Sequence, residues 1–181
     1  SVFAAAVILD SQLLEKEEHR HWLDMLNDSK QLSENERIYL RPKIEQNAQA
    51  WAVVEVTTEE IDQINILNAS IVGMQRALDQ LKVRPQHIIV DGNKWKPYIP
   101  AGNVMEIPAR TVVKGDGKYL SIAAASVLAK TYRDEYMLRL HEQYPQYHWA
   151  TNIVYPTKTH YEAIRQYDNT PYHRKTFKLL K

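Results

Sequence analysis

The stretch that most constrains this chain is Lys114-Gly115-Asp116-Gly117-Lys118-Tyr119-Leu120-Ser121-Ile122-Ala123-Ala124-Ala125-Ser126-Val127-Leu128-Ala129-Lys130. An aspartate between two glycines and two lysines opens onto a helix whose alanines let another backbone pack closely. The glycines admit conformations closed to other residues, so the Asp116 carboxylate can be aimed into a cleft at the helix start. A helix N-terminus carries partial positive charge, which favours an ionised carboxylate and a nearby phosphate. Any fold for this chain has to build a site around that acid.

A second acid closes an apolar run upstream. His87-Ile88-Ile89-Val90-Asp91-Gly92-Asn93 reads as a short strand ending at Asp91, and open α/β sheets place ligands at the carboxyl ends of their strands. Two aspartates on adjoining elements suggest a divalent cation, because hard Mg²⁺ or Mn²⁺ takes oxygen donors. Taken singly, each has a plainer reading, Asp91 as a turn residue and Asp116 as a helix cap.

The rest of the chain alternates strands and helices. Ser1 to Leu9 is predicted to be a buried strand, and Asp10 to Met25 a charged helical connection with Leu14, Trp22 and Met25 on one face. His19 and His21 are two apart and would point away from each other on a helix. Ser33-Glu34-Asn35-Glu36 is a capping box that starts a helix to about Ala48. Trp51 to Val56 reads as a strand, and Thr57-Thr58-Glu59-Glu60 as a second capping box. The helix after it carries Ile61, Ile64, Leu67, Ile71, Met74, Leu78 and Leu81 in one apolar stripe. Pro97, Pro100 and Pro108 keep the segment beyond Asn93 irregular. Thr111 to Val113 is predicted as a strand, Leu120 to Glu142 as a long helix, Tyr144 to Tyr155 as irregular and aromatic, and Thr157 to about Gln166 as a last helix. This order argues for an α/β fold in one domain spanning residues 1–181.

Composition narrows the function classes. There is no cysteine, which excludes disulfides, thiolate nucleophiles and cysteine zinc sites. No apolar run reaches the length of a membrane span, so no membrane is expected and a cytoplasmic location is the simplest. The net charge is +1, yet Thr157 to Lys181 holds six Lys and Arg against two acids, a local +4. A basic end of that kind can contact phosphates or simply be solvated.

The runs Val90-Asp91-Gly92-Asn93, Val113-Lys114-Gly115-Asp116, Leu120 to Lys130, Arg133-Asp134, Tyr155-Pro156-Thr157-Lys158, Thr170-Pro171-Tyr172-His173-Arg174 and Leu26 to Ser33 resemble ribonuclease HII, the bacterial type 2 ribonuclease H. The likeness runs in the family's order from Ser1 to the C-terminus and is greatest for the Bacteroidetes branch. It implies a ribonuclease-H-like mixed sheet flanked by helices, with a C-terminal helical extension over about residues 143–181. It also implies a metal-dependent endonuclease that cuts the RNA strand of RNA–DNA hybrids and single ribonucleotides in duplex DNA, a role in ribonucleotide excision, and a monomer. Asp91 and Asp116 are then the catalytic and metal residues of a two-metal Mg²⁺ or Mn²⁺ site. Ser29, Lys30, Asn93, Lys114, Lys118, Tyr155, Lys158, His173 and Arg174 become substrate-binding candidates, with Tyr155 resembling a tyrosine that stacks beside the RNA-to-DNA junction. Where the family has Lys-Gly before that tyrosine, this chain has Ile153-Val154.

One departure is large. The family's Asp-Glu pair followed by Gly-Arg-Gly belongs immediately before the strand that here begins at Ser1, and no such stretch occurs in the sequence. Two of the four carboxylates implied by the resemblance are therefore missing, along with a strand that looks central. The expectation is that residues precede Ser1 in the natural protein, and that the 181 residues alone cleave poorly or act as a non-catalytic hybrid-binding module.

Overall fold

A computed structural model describes residues 1–27, 32–151 and 157–177. The elements run β1 (Val2–Ile8), α1 (Ser11–Glu15), α2 (Glu17–Asn27), α3 (Glu34–Asn47), β2 (Ala50–Val56), α4 (Thr58–Ile64), α5 (Ile66–Asp79), β3 (Ile88–Asp91), β4 (Ala109–Val112), α6 (Leu120–Gln143) and α7 (Lys158–Tyr167). Single 3₁₀ turns occupy Gly115–Gly117 and Pro145–Tyr147.

β1 and β2 pair antiparallel from Val2 opposite Val56 to Ile8 opposite Ala50. Side chains alternate along a strand, so each face of this ribbon meets a different helix. Ala5, Val7, Trp51 and Val53 pack towards Ala123, Ala124, Val127 and Leu128 of α6. Ala6 and Val2 turn instead to the clusters that hold Ala77 and Ala69 of α5. Small residues set the separation: a Cβ on Gly73 of α5 would stand 3.0 Å from Ala4 and from Val56. α2 and α3 complete the core beyond α6, burying Trp22, Leu26, Leu40 and Ile44.

β3 and β4 form a second, parallel pair. Among the described residues the strands are hydrogen-bonded as these two pairs and not as one continuous sheet. The α/β class holds, and the free edges of β1 and β3 carry no strand within the described residues.

Both capping boxes form: Ser33 with Glu36 starts α3, and Thr57 with Glu60 starts α4. Two expected continuous helices are broken. The Asp10 to Met25 connection divides at Lys16, whose extended backbone ends α1. The division buries Leu13 and leaves Leu14 48% exposed, so Leu14 does not share the face of Trp22. The long apolar stripe divides at Asn65, whose φ of 67° lies in the left-handed region that asparagine tolerates better than most residues. Asn65 ends α4 through its N–H and starts α5 by accepting from the Asn68 N–H. The break rotates Leu67 out of the stripe to 48% exposure.

The C-terminal elements close over α6 through an aromatic cluster of Tyr147, Trp149, His160 and His173. Lys175 and Thr176 are strapped to α4, where the Asp62 carboxylate accepts from the Lys175 N–H (2.8 Å), the Thr176 N–H (3.0 Å) and the Thr176 hydroxyl (2.6 Å). Among the described residues no helix is long and apolar enough to cross a membrane.

Candidate functional site

The site begins with strand periodicity. Ile88 and Val90 are buried against Tyr98 and Ile107, with Met74 and Leu78 of α5 behind them. Ile89 and Asp91 therefore face the opposite side of β3, and Asp91 is exposed at its carboxyl end. β4 runs alongside with Arg110 opposite Ile89 and Val112 opposite Asp91. The Gly92 N–H closes the ladder on the Val112 carbonyl at 2.9 Å.

Beyond β4 the backbone turns back towards Asp91. Lys114 takes φ 56°, ψ 47°, and the turn Gly115–Gly117 follows. The Gly115 N–H donates to Oδ1 of Asp91 at 2.8 Å, which fixes the carboxylate against the residue preceding Asp116. Glycine is required there for space: a Cβ would lie 2.6 Å from Cδ1 of Ile122 and 3.3 Å from Oδ1 of Asp91. The Gly115 carbonyl accepts from the Lys118 and Tyr119 N–H groups, both at 2.9 Å, and Tyr119 becomes the residue at which α6 starts. Asp116 is half-buried within this turn and has a partner of its own.

The two carboxylates suit a hard cation. Both are oxygen donors, Asp91 is solvent-accessible, and one of its oxygens is already oriented by an amide. Among the described residues no group of three or more His, Asp or Glu is placed to hold a metal. A pair of acids is nonetheless the number that Mg²⁺ commonly takes from protein, with water and substrate phosphate completing its shell.

Lys114 and Lys118 are exposed on the same turn, and Asn93 is exposed directly after β3. Lys158, the first residue of α7, is exposed and 4.0 Å from Glu162. Arg174 is half-buried, donates to the Ser1 carbonyl at 3.4 Å and lies 4.8 Å from the Phe177 ring. Burial, with Arg133 nearby, pulls its pKa down. Ser29, Lys30 and Tyr155 lie outside the described residues.

His173 departs from its expected place on a phosphate track. It is 6% exposed, stacks on His160 at 5.3 Å, and takes the Thr170 N–H on Nδ1 at 3.0 Å. Burial, then the neighbouring His160, pushes its pKa down to about 4. A neutral, enclosed imidazole packs the aromatic cluster and offers no cation to a phosphate. Asp134, of the Arg133-Asp134 run, is buried and meets Arg37 at 3.2 Å, a structural ion pair between α6 and α3.

Two residues at the site escaped the sequence reading, Arg110 and Tyr119. The Arg110 guanidinium donates to the Tyr119 hydroxyl, and its carbon stands 5.5 Å from the ring centroid. Starting the strand at Thr111 left Arg110 outside the ladder. Period-two spacing back from Val112 would have placed it on the Asp91 face.

A family model for ribonuclease HII matches residues 2–180. The chain belongs to the ribonuclease HII family. It is 58% identical to the ribonuclease HII of Phocaeicola vulgatus and 59% identical to that of Parabacteroides distasonis, each over 180 residues that cover 99% of this chain and 83% of the relative. Among solved structures, the ribonuclease H2 of Pyrococcus horikoshii superposes with a TM-score of 0.74 at 26% identity, covering 98% of this chain and 94% of that one. Bst-RNase HIII in complex with Mn²⁺ gives a TM-score of 0.62 at 17% identity, covering 92% and 59%, a likeness of fold. Membership makes the chain a type 2 ribonuclease H, an endoribonuclease of a family that acts on RNA–DNA hybrids. The ribonuclease-H-like α/β fold expected from the sequence is the one observed.

Proposed function

We propose that this ribonuclease HII hydrolyses the RNA strand of hybrids and cuts at single ribonucleotides in duplex DNA, using Mg²⁺ or Mn²⁺ held by Asp91 and Asp116. The observation that carries the reading is the 2.8 Å bond from the Gly115 N–H to Asp91, which ties the strand-end acid to the turn bearing the second acid. A bound divalent ion supplies Lewis-acid stabilisation of the charge that develops on the phosphate oxygens.

The chain's own residues bind and orient the substrate around that pair. Lys114 and Lys118 neutralise phosphates flanking the scissile bond, and Asn93 offers an amide beside the strand end. On the family resemblance, Ser29, Lys30, Lys158 and Arg174 extend the phosphate contacts, and Tyr155 stacks at the junction where the 2′-hydroxyl is read. His173, enclosed in the aromatic cluster beside Arg174, serves as packing there. Residues 1–181 belong to a single ribonuclease-H-like catalytic domain, with about 143–181 as a substrate-binding extension, in a cytoplasmic monomer.

The second reading is a hybrid-binding module without turnover, favoured by the observation that among the described residues no group of three or more His, Asp or Glu is placed to hold a metal. One assay separates the two. The full-length natural protein is incubated in Mg²⁺ or Mn²⁺, and in chelator, with a DNA duplex that carries one ribonucleotide and with an all-DNA control. Metal-dependent cutting of the first duplex alone supports the nuclease. Tight, salt-sensitive hybrid binding with every substrate intact supports the binding module and refutes the nuclease.

A further inference from the structure

We propose that Arg110, held by Tyr119, is a contact to the nucleic-acid backbone beside Asp91, a substrate-binding residue that neither motif nor charge run disclosed. The proposal rests on the nuclease reading above, and its grounds are the geometry of β3, β4 and the turn after them.

Paired residues of a parallel ladder project to the same side, and Arg110 pairs with Ile89, two residues before Asp91. Arg110 and Asp91 thus share one face of the β3–β4 pair, the face turned away from buried Ile88 and Val90. Two residues of strand span roughly 7 Å, about the rise of two nucleotide steps along a duplex axis. A phosphodiester chain crossing the Asp91 end of the ladder would pass Arg110 within that distance.

The guanidinium is also placed in advance. Its Nη2 group donates to the Tyr119 hydroxyl and the cation stands 5.5 Å from the ring centroid. Tyr119 is anchored by its own N–H to Gly115, the residue whose amide holds Asp91. Arg110 is therefore fixed to the turn that bears Asp116 and holds Asp91, which cuts the side-chain entropy lost on binding. Arg110 is exposed, and among the described residues it makes no salt bridge. One N–H of five serves Tyr119, which leaves the planar fork that fits phosphate oxygens in pairs. With Lys114 and Lys118 it makes a third cation on the substrate side of the turn.

The test is hybrid binding by the full chain in chelator across a salt series, with melting temperature and cleavage measured on the same samples. Arg110→Gln is expected to weaken binding about tenfold near 100 mM salt and to make the log K against log salt slope shallower by about 0.7–0.9, one phosphate's worth. Arg110→Lys is expected to keep the wild-type slope with weaker affinity, Tyr119→Phe to keep the slope with a few-fold loss, and Lys16→Gln, on the distant α1 end, to match wild type. An Arg110→Gln slope equal to wild type overturns the proposal, as does an affinity loss explained wholly by a lowered melting temperature. If wild type cleaves the hybrid while Arg110→Gln keeps its slope, only this proposal fails. If wild type neither binds nor cleaves, the nuclease reading fails and takes this proposal with it.

Discussion

Replacing Gly115 with alanine probes the join between the two acids directly. The new Cβ would sit 2.6 Å from Cδ1 of Ile122, so the side chain or the turn has to recede by roughly 1 Å to reach ordinary carbon contact. Ile122 is 6% exposed in the first turn of α6, which leaves it little room. Forcing a methyl into such packing costs about 1–3 kcal/mol. For a chain of this size that corresponds to a fall in melting temperature of roughly 2–12 °C. The same methyl approaches Oδ1 of Asp91 to 3.3 Å, crowding the carboxylate that Gly115 now holds. Displacements approaching 1 Å at a reacting centre cost up to about a hundredfold in rate. The expected result is a destabilised protein with cleavage down tenfold to a hundredfold. Ile122→Val removes the clashing Cδ1 atom and alone costs about 0.5–1.5 kcal/mol. The double variant should then be more stable than the sum of the singles by about 1 kcal/mol, because the two sites touch. Thermal unfolding and single-ribonucleotide cleavage measure both effects. Gly115→Ala with unchanged melting temperature and rate, or strict additivity with Ile122→Val, would refute the packing argument.

Acid should loosen the C-terminal region. His173 has a folded pKa lowered from 6.5 to about 4, so its contribution to stability is full above pH 6.5 and is lost as pH falls towards 4. His160 shifts in the same direction through burial. Melting temperature should therefore decline across that window, and His173→Leu should flatten the decline; an identical pH profile in that variant would count against it. Asp62 is depressed by the Thr176 hydroxyl and the Thr176 and Lys175 amides, so the strap it makes holds above the usual carboxylate range and fails below it. Asp62→Ala at neutral pH should speed amide hydrogen exchange over residues 170–177 while leaving that of β1 unchanged.

Local chemistry made much of the fold legible. Each capping box announced a helix because Ser33 and Thr57 could satisfy the first backbone donors while Glu36 and Glu60 returned the bond. The Asp91 strand was readable because Ile88 and Val90 had to face a core. The breaks at Lys16 and Asn65 were not, since neither is glycine or proline and the apolar spacing continues across each. At Asn65 one residue both ends and begins a helix, a backbone solution that side-chain periodicity does not encode. The pairing of strands likewise depends on long-range packing of α5 and α6 across β1. At the site, residue type and position were enough to put Asp91 at a strand end and Asp116 in a glycine turn, whereas the burial of His173 was not legible because its motif suggests a charged surface residue. Arg110 was missed because its role depends on which face of a short strand it occupies, and the strand begins two residues earlier than its β-branched residues indicate.

The central claim is that Asp91 and Asp116 work as one unit. Cleavage rates for a duplex carrying one ribonucleotide, compared among the wild-type full-length protein, Asp91→Asn, Asp116→Asn and the double variant, test it most directly. Each single change is expected to reduce cutting at least about a hundredfold, with the double no slower than the worse single, as for groups that act together. A single variant that cuts at the wild-type rate would contradict it.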